Sequence, residues 1–214
     1  MDQATYNEIS KLSKSQLKQD LFVLGCLNFK ENGYFVEFGA ANGVDLSNTY
    51  LLEKRFKWNG ILAEPAKSSH NNIRANRAVH FETKCVWKES NVSLSFNETN
   101  ATDLSTIDSF SSCDEHAQTR QSGTLYQVET ISLVDLLKKY NAPKHIDYLS
   151  IDTEGSEFDI LENFDFNTYS FSVITCEHNY TPMRDKIYDL LTSKGYERKL
   201  TEVSRWDDWY IKFA

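Results

Sequence analysis

The sequence predicts an α/β fold built on a mostly parallel sheet of about seven strands, and three observations carry that prediction. Short apolar runs rich in β-branched and aromatic residues recur at 34–38, 60–63, 79–86, 146–151 and 171–176. Between them the apolar spacing changes to that of a helix, the pattern of alternating strands and helices. The runs end on polar residues, and in an open parallel sheet the carboxyl ends of the strands share the rim where ligands bind.

Taken in order, residues 15 to 29 (SQLKQDLFVLGCLNF) place Leu17, Leu21, Leu24 and Leu27 at helical spacing. An amphipathic helix is expected there, within an N-terminal helical segment at 1 to 30 that Asn32-Gly33 ends. Tyr34 to Phe38 reads as a buried strand with Glu37 near its end, and Gly39 and Gly43 form the turn that follows. Ser47 or Asn48 is placed to cap a helix through about Phe56, because a short polar oxygen accepts from amides unpaired at a helix start. Gly60 to Ala63 is a second strand ending at Glu64-Pro65; a polar helix and a third strand, Val79 to Val86, come next. Residues 88 to 128 break the rhythm with Ser, Asn, Thr and charges around a short strand at Val92 to Phe96, too long for a simple connection. This segment is expected to be a surface insertion or substrate lid.

Ser132-Leu-Val-Asp135 has the spacing of a capping box, with Leu136, Leu137 and Tyr140 on one helical face before Pro143. Ile146 to Ile151 is a fourth strand that closes on Asp152-Thr-Glu-Gly-Ser-Glu157, where Phe158, Leu161 and Phe164 suggest a short helix. Phe171 to Cys176 is a fifth strand, ending at Glu177-His178. After a helix from Met183 to Lys194 and a stop at Gly195, residues 196 to 213 read as an antiparallel hairpin turning near Arg205 to Asp207. A single domain over 1 to 214 is expected from the chain length.

The net charge of −8, with 23 basic against 31 acidic residues and no basic stripe, disfavours a polyphosphate such as nucleic acid as partner. No apolar stretch approaches the roughly 20 residues that cross a bilayer. The polar first residues lack the apolar core of a signal peptide, and four cysteines are scattered without CxxC spacing. A reducing, cytoplasmic setting is therefore expected, without zinc. Nothing in the composition sets an oligomeric state.

The glycine turn narrows the ligand. A phosphate loop needs GxxxxGK followed by Ser or Thr, whereas Gly43 is followed by Val44-Asp45 with no lysine. A dinucleotide fingerprint wants a glycine where Ala41 stands, though an NAD(P)-dependent oxidoreductase stays open on Glu64, 21 residues beyond Gly43 at a strand end suited to ribose hydroxyls. Beyond the fourth and fifth strands, Asp152, Glu154, Glu177 and His178 offer oxygen and nitrogen donors. Asp152 is the first candidate for a base or metal ligand and His178 the second, with Glu177 joining them around Mg²⁺ or Mn²⁺. Glu157 is expected only to stabilise a helix N-terminus. Trp206 and Trp209, with Tyr180, are candidates to stack on the face of a bound acceptor, at least one being core.

SQxxQDLFV at 15 to 23, YFVEFGAANGVDLSNTYLLEK at 34 to 54, WNGILAEP at 58 to 65 and IDYLSIDTEGSEFDIL at 146 to 161 together resemble the FkbM family of S-adenosylmethionine-dependent methyltransferases. The resemblance implies a class I methyltransferase Rossmann-like fold, whose sheet closes in an antiparallel hairpin. It implies that Glu37, Gly39, Asn42 and Gly43 hold the methionine part of the cofactor, with Ser47 continuing that cradle, that Glu64 takes the ribose, and that Cys85-Val86 borders the adenine. It also implies O-methylation of a sugar or glycan hydroxyl, for which Asp152, His178 and Glu154 are the catalytic candidates that the rim residues themselves offer. The alternatives are O-methylation of a non-sugar small molecule, the oxidoreductase, and a non-catalytic binding module of the same fold.

Overall fold

Tyr34–Phe38 is aromatic or β-branched except at Glu37, and it forms strand β1 at the middle of a seven-stranded sheet. The computed structural model describes residues 3–212. Its helices are α1 (Gln3–Leu12), α2 (Gln19–Cys26), α3 (Tyr50–Phe56), α4 (His70–Asn76), α5 (Ala117–Arg120), α6 (Leu133–Lys139), α7 (Glu157–Glu162) and α8 (Met183–Ser193). The remaining strands are β2 (Asn59–Ala63), β3 (His80–Glu82), β4 (Cys85–Trp87), β5 (Ser93–Glu98), β6 (Thr106–Ile107), β7 (Thr124–Ser132), β8 (His145–Ile151), β9 (Ser170–Glu177), β10 (Glu197–Lys199) and β11 (Asp207–Ile211). No helix among the described residues is long and apolar enough to cross a membrane.

The main sheet has the order β10-β11-β9-β8-β1-β2-β3, and β11 alone runs against its neighbours. Alternate side chains of β1 enter different cores. Val36 and Phe38 pack with Leu136, Ile160 and Leu191 of α6, α7 and α8, whereas Phe35 packs with Leu24, Leu52 and Ile73 of α2, α3 and α4. Helices on both faces explain why these strands read as continuous apolar runs. The chain leaves β1 toward β2 on one side and meets β8 on the other, so a crevice opens at the carboxyl ends of β1 and β8.

Three expectations are corrected here. The run at Val79 to Val86 is two strands, β3 in the main sheet and β4 in a second sheet of order β4-β7-β5-β6. The buried carboxylate of Glu82 accepts from the amides of Thr83 and Lys84, and that turn ends the ladder. The helix expected from residue 15 starts at Gln19, because the Ser15 hydroxyl accepts from the Gln19 amide while Ser15 bridges to Leu46. In the terminal hairpin the turn spans 200–206, and Asp207 already belongs to β11, which inserts between β9 and β10. Residue 213 of that expectation, and residues 1, 2 and 214 of the expected single domain, lie outside the described residues.

The segment at 88 to 128 supplies β5, β6, α5 and half of β7, the last an element that the sequence reading missed. Phe96, Ile107 and Val128 join Cys85 and Trp87 in a separate apolar cluster. The Thr106 hydroxyl donates to the Glu154 carbonyl at 2.9 Å, which lays this second sheet across the rim of the first.

Candidate active site

Gly39 ends β1 with φ of +70°, and a Cβ there would lie 1.8 Å from the Asp152 carbonyl oxygen at the end of β8. The two strand ends can approach this closely only over a glycine. Glu37 turns its carboxylate beneath the loop that follows: Oε1 accepts from the Asn48 amide at 2.7 Å, and Oε2 from the hydroxyls of Ser47 and Thr49. Ser47 in turn accepts from the amides of Thr49 and Tyr50, but the N-cap of α3 is Thr49, without a side-chain capping bond, and not Ser47 or Asn48 as expected. Ser47 does not line the cleft, and neither does Asn42, whose Oδ1 accepts from the amides of Val44 and Asp45. Gly43 packs against Arg77, which reaches Gly43 O, Ser47 and Thr49 from the buried side. These residues shape the loop, and Glu37, Gly39 and Ala41 face the cavity.

That cavity has a volume of about 310 Å³. Gln16 and Gln19 from the SQxxQD stretch form one wall with Trp206, whose indole N–H donates to Gln16 at 2.8 Å. Gln19 donates to Asp207 at 2.6 Å, and Asn48 donates to Ser150 at 3.0 Å. Asp103, Leu104, Glu115 and His116 from the segment at 88 to 128 also line the cavity. Trp209, by contrast, is buried against Phe22, and Tyr180 points to solvent with 63% exposure.

A smaller cavity of about 30 Å³ adjoins the first, sharing Phe38, Gly39, Asp103 and Asp152 with it. Val86, Phe96 and Ile107 make it apolar, and Glu64 stands at its edge. Glu64 accepts from the amides of Ala41 at 3.0 Å and Ala66 at 2.8 Å. Burial pushes its carboxyl up to about 8 against the pull of those two amides. Val86 reaches this cavity from the second sheet.

Between the cavities Asp152, Glu154 and Glu177 bring carboxylate oxygens within 4.8 Å of one another. Burial raises all three, Asp152 to about 8 and Glu154 to about 9, and mutual repulsion adds to it. Glu154 accepts from Arg120 at 2.7 Å and Asn179 at 3.0 Å, whereas Oδ1 of Asp152 is buried without a partner. Arg120 has no exposed side-chain surface and also binds Asp114 and the Leu104 carbonyl, so it fastens the wall of the cleft to Glu154. Sequence reasoning missed it, since an arginine in a polar, aperiodic stretch carries no local signal. Glu157 opens α7, but its carboxylate accepts from the amides of Thr153 and Gly155 in the turn before the helix.

His178 corrects an expectation: it does not join Asp152 and Glu177. Its Nδ1 accepts from the Tyr180 amide at 3.0 Å and its Nε2 lies 3.8 Å from Asp208. Burial pushes it down to about 4, so it is neutral at physiological pH and faces away from the cleft wall.

A glycine loop after the first strand, an acid at the end of the second, a cleft at the switch point and one reversed strand near the sheet edge define the class I methyltransferase arrangement of the Rossmann-like fold. The family model of the methyltransferase FkbM domain matches residues 37–198. The chain belongs to that family and is an S-adenosylmethionine-dependent methyltransferase. That membership sets the oxidoreductase reading aside. No curated protein matches the chain. Among solved structures it is similar to a precorrin-6y C5,15-methyltransferase from Geobacter metallireducens, with 11% identity, 90% of this chain and 88% of that chain covered, and a TM-score of 0.49. It is similar also to a putative RNA methyltransferase from Pyrococcus horikoshii, with 12% identity, 99% and 97% coverage and a TM-score of 0.44.

Proposed function

We propose that the enzyme transfers a methyl group to a hydroxyl of a sugar or glycan, with Asp152 as the base. The observation that carries this reading is the buried, unpartnered Oδ1 of Asp152, which borders both cavities. A sugar hydroxyl is a poor nucleophile while protonated, and a carboxylate placed at the acceptor takes its proton as the bond to carbon forms. The cofactor, when bound, supplies an electrophilic methyl on a positively charged sulfur. The methyl carbon leaves sulfur for the hydroxyl oxygen, the hydroxyl proton goes to Asp152, and the products are S-adenosylhomocysteine and a methyl ether.

The residues present fit that cofactor. Glu64 is an acceptor for ribose hydroxyls, the slot at Val86, Phe96 and Ile107 suits an adenine ring, and Gly39 with Ala41 leaves room beside Glu37 for the methionine end. Trp206 offers an aromatic face, and Gln16, Gln19, Asn48 and Asn179 offer amides, a combination suited to a polyhydroxylated acceptor. At pH 9, where the Glu64 carboxyl is ionised, Glu64→Ala is expected to weaken S-adenosylhomocysteine binding by about 1.5–3 kcal/mol, on the order of a charge-assisted hydrogen bond. Calorimetric titration checks this, and an unchanged dissociation constant would refute the ribose role.

Asp152, Glu154 and Glu177 also have the donor chemistry for Mg²⁺ or Mn²⁺. Arg120 and Asn179 already occupy Oε2 of Glu154, which favours the base reading. EDTA is accordingly expected to leave turnover unchanged, and activity lost to EDTA and restored by Mg²⁺ or Mn²⁺ would assign the three carboxylates to a metal.

A further inference from the structure

The cleft is poorly furnished to receive an anion: its side-chain donors are neutral amides, an indole and His116, with no lysine or arginine among the described residues. Rossmann-like proteins bind phosphates on free amides at helix starts and tight turns along the strand-end rim. Here several of those amides are taken by the chain's own carboxylates. Glu37 holds the Asn48 amide ahead of α3, and Glu64 holds those of Ala41 and Ala66. Glu98 accepts from Lys67 and Ser68, each at 3.1 Å, ahead of α4, and Glu157 from Thr153 and Gly155 ahead of α7.

Arginines near the site are committed as well, except the exposed Arg205, which lies over the Trp206 ring at 5.6 Å. Arg77 is buried on Glu53, with Glu37 at 3.7 Å, and Arg120 is sealed between Asp114 and Glu154. Arg184 and Arg198 both lie on Asp208. Among the described residues no lysine or arginine lines the large cavity. Three exposed acids, Asp45, Asp103 and Glu115, stand on its walls instead, with Asp152, Glu154 and Glu177 deeper. The methyl donor is compatible with this field, since its sulfonium and ammonium outweigh its one carboxylate. A phosphorylated acceptor is not.

We infer that the acceptor is an uncharged sugar residue, bearing neither phosphate nor carboxylate. The inference rests on the sugar reading above and narrows it. A nucleotide-activated sugar carries a diphosphate, so the methylated sugar is one that has already left its nucleotide. Glycosyl transfer, which consumes the activated sugar, therefore precedes methylation, and the substrate is a glycoside or glycan.

The test uses labelled S-adenosylmethionine and three forms of the same hexoses and deoxyhexoses: neutral methyl glycosides, nucleoside-diphosphate sugars, and the matching uronate glycosides. The neutral form is expected to lead in kcat/KM by at least about tenfold, because like charges across a site oppose association. That gap should narrow as salt rises, through screening, and narrow again in the Asp103→Asn, Glu115→Gln double variant. A nucleotide sugar or uronate used as well as the neutral glycoside overturns the inference. If no form of any sugar is methylated while S-adenosylhomocysteine still binds, the sugar reading itself fails and takes the inference with it.

Discussion

Gly39→Ala is expected to cost about 2–5 kcal/mol of stability, the sum of left-handed backbone strain and overpacking at a tight contact. The reason is geometric. The new methyl group would sit 1.8 Å from the Asp152 carbonyl, and that oxygen belongs to backbone that cannot rotate away. Either β1 or β8 must shift, and the shift would fall on the residues that meet the cofactor. Against a typical total of about 5–15 kcal/mol the loss is severe. Gly43→Ala is the control: its φ is also positive, but the added methyl would meet the Arg77 side chain at 3.0 Å, so the loss should be smaller. Urea unfolding of both variants checks the ranking, and a Gly39→Ala midpoint equal to that of the native protein would contradict the placement of the two strand ends.

Asp152→Asn is expected to lower turnover by about 10²–10⁴, the usual contribution of a positioned base, while S-adenosylhomocysteine still binds. The amide keeps the shape of the carboxyl and loses only its ability to take a proton. The pH dependence follows with a definite sign. Burial pushes Asp152 up to about 8, so the rate should fall as pH drops through about 8 and the base becomes protonated. Stability should move the other way. Asp207, pushed up to about 7, Glu64 and Asp152, each to about 8, and Glu154, to about 9, bind protons more tightly folded than unfolded. Their contribution is complete below the unfolded value of about 4 and is lost as pH rises through these folded values. The melting temperature of the cofactor-free protein is therefore expected to decline from pH 5 to pH 9. A flat activity profile across pH 8, or full activity in Asp152→Asn, would remove Asp152 as the base.

Much of the scaffold was legible because burial leaves a local trace. The runs at 34–38, 60–63, 146–151 and 171–176 lie within β1, β2, β8 and β9 to within a residue or so, since strands covered on both faces read as unbroken apolar stretches. Their acidic ends announced the rim, and Glu64 and Asp152 both face it. What the sequence hid was set by partners far along the chain. The acid beside the His178 ring, Asp208 at 3.8 Å, comes from a strand that arrives later, and Glu154 is paired with an arginine from the aperiodic segment. Glu37 is placed as expected, yet its oxygens serve the start of α3. No spacing shows how a carboxylate divides its lone pairs between a ligand and its own loop. The break at Thr83 and Lys84 was hidden for the same reason, because one buried glutamate, not a change of residue type, ends β3.

The central claim is that Asp152 serves the methylation of a sugar hydroxyl, and product analysis tests it most directly. With methyl-labelled S-adenosylmethionine and neutral glycosides, the native enzyme is expected to yield label in a methyl ether at one sugar hydroxyl, and Asp152→Asn to yield little or none. Label on nitrogen or carbon, or an Asp152→Asn variant that forms the ether at the native rate, would contradict it.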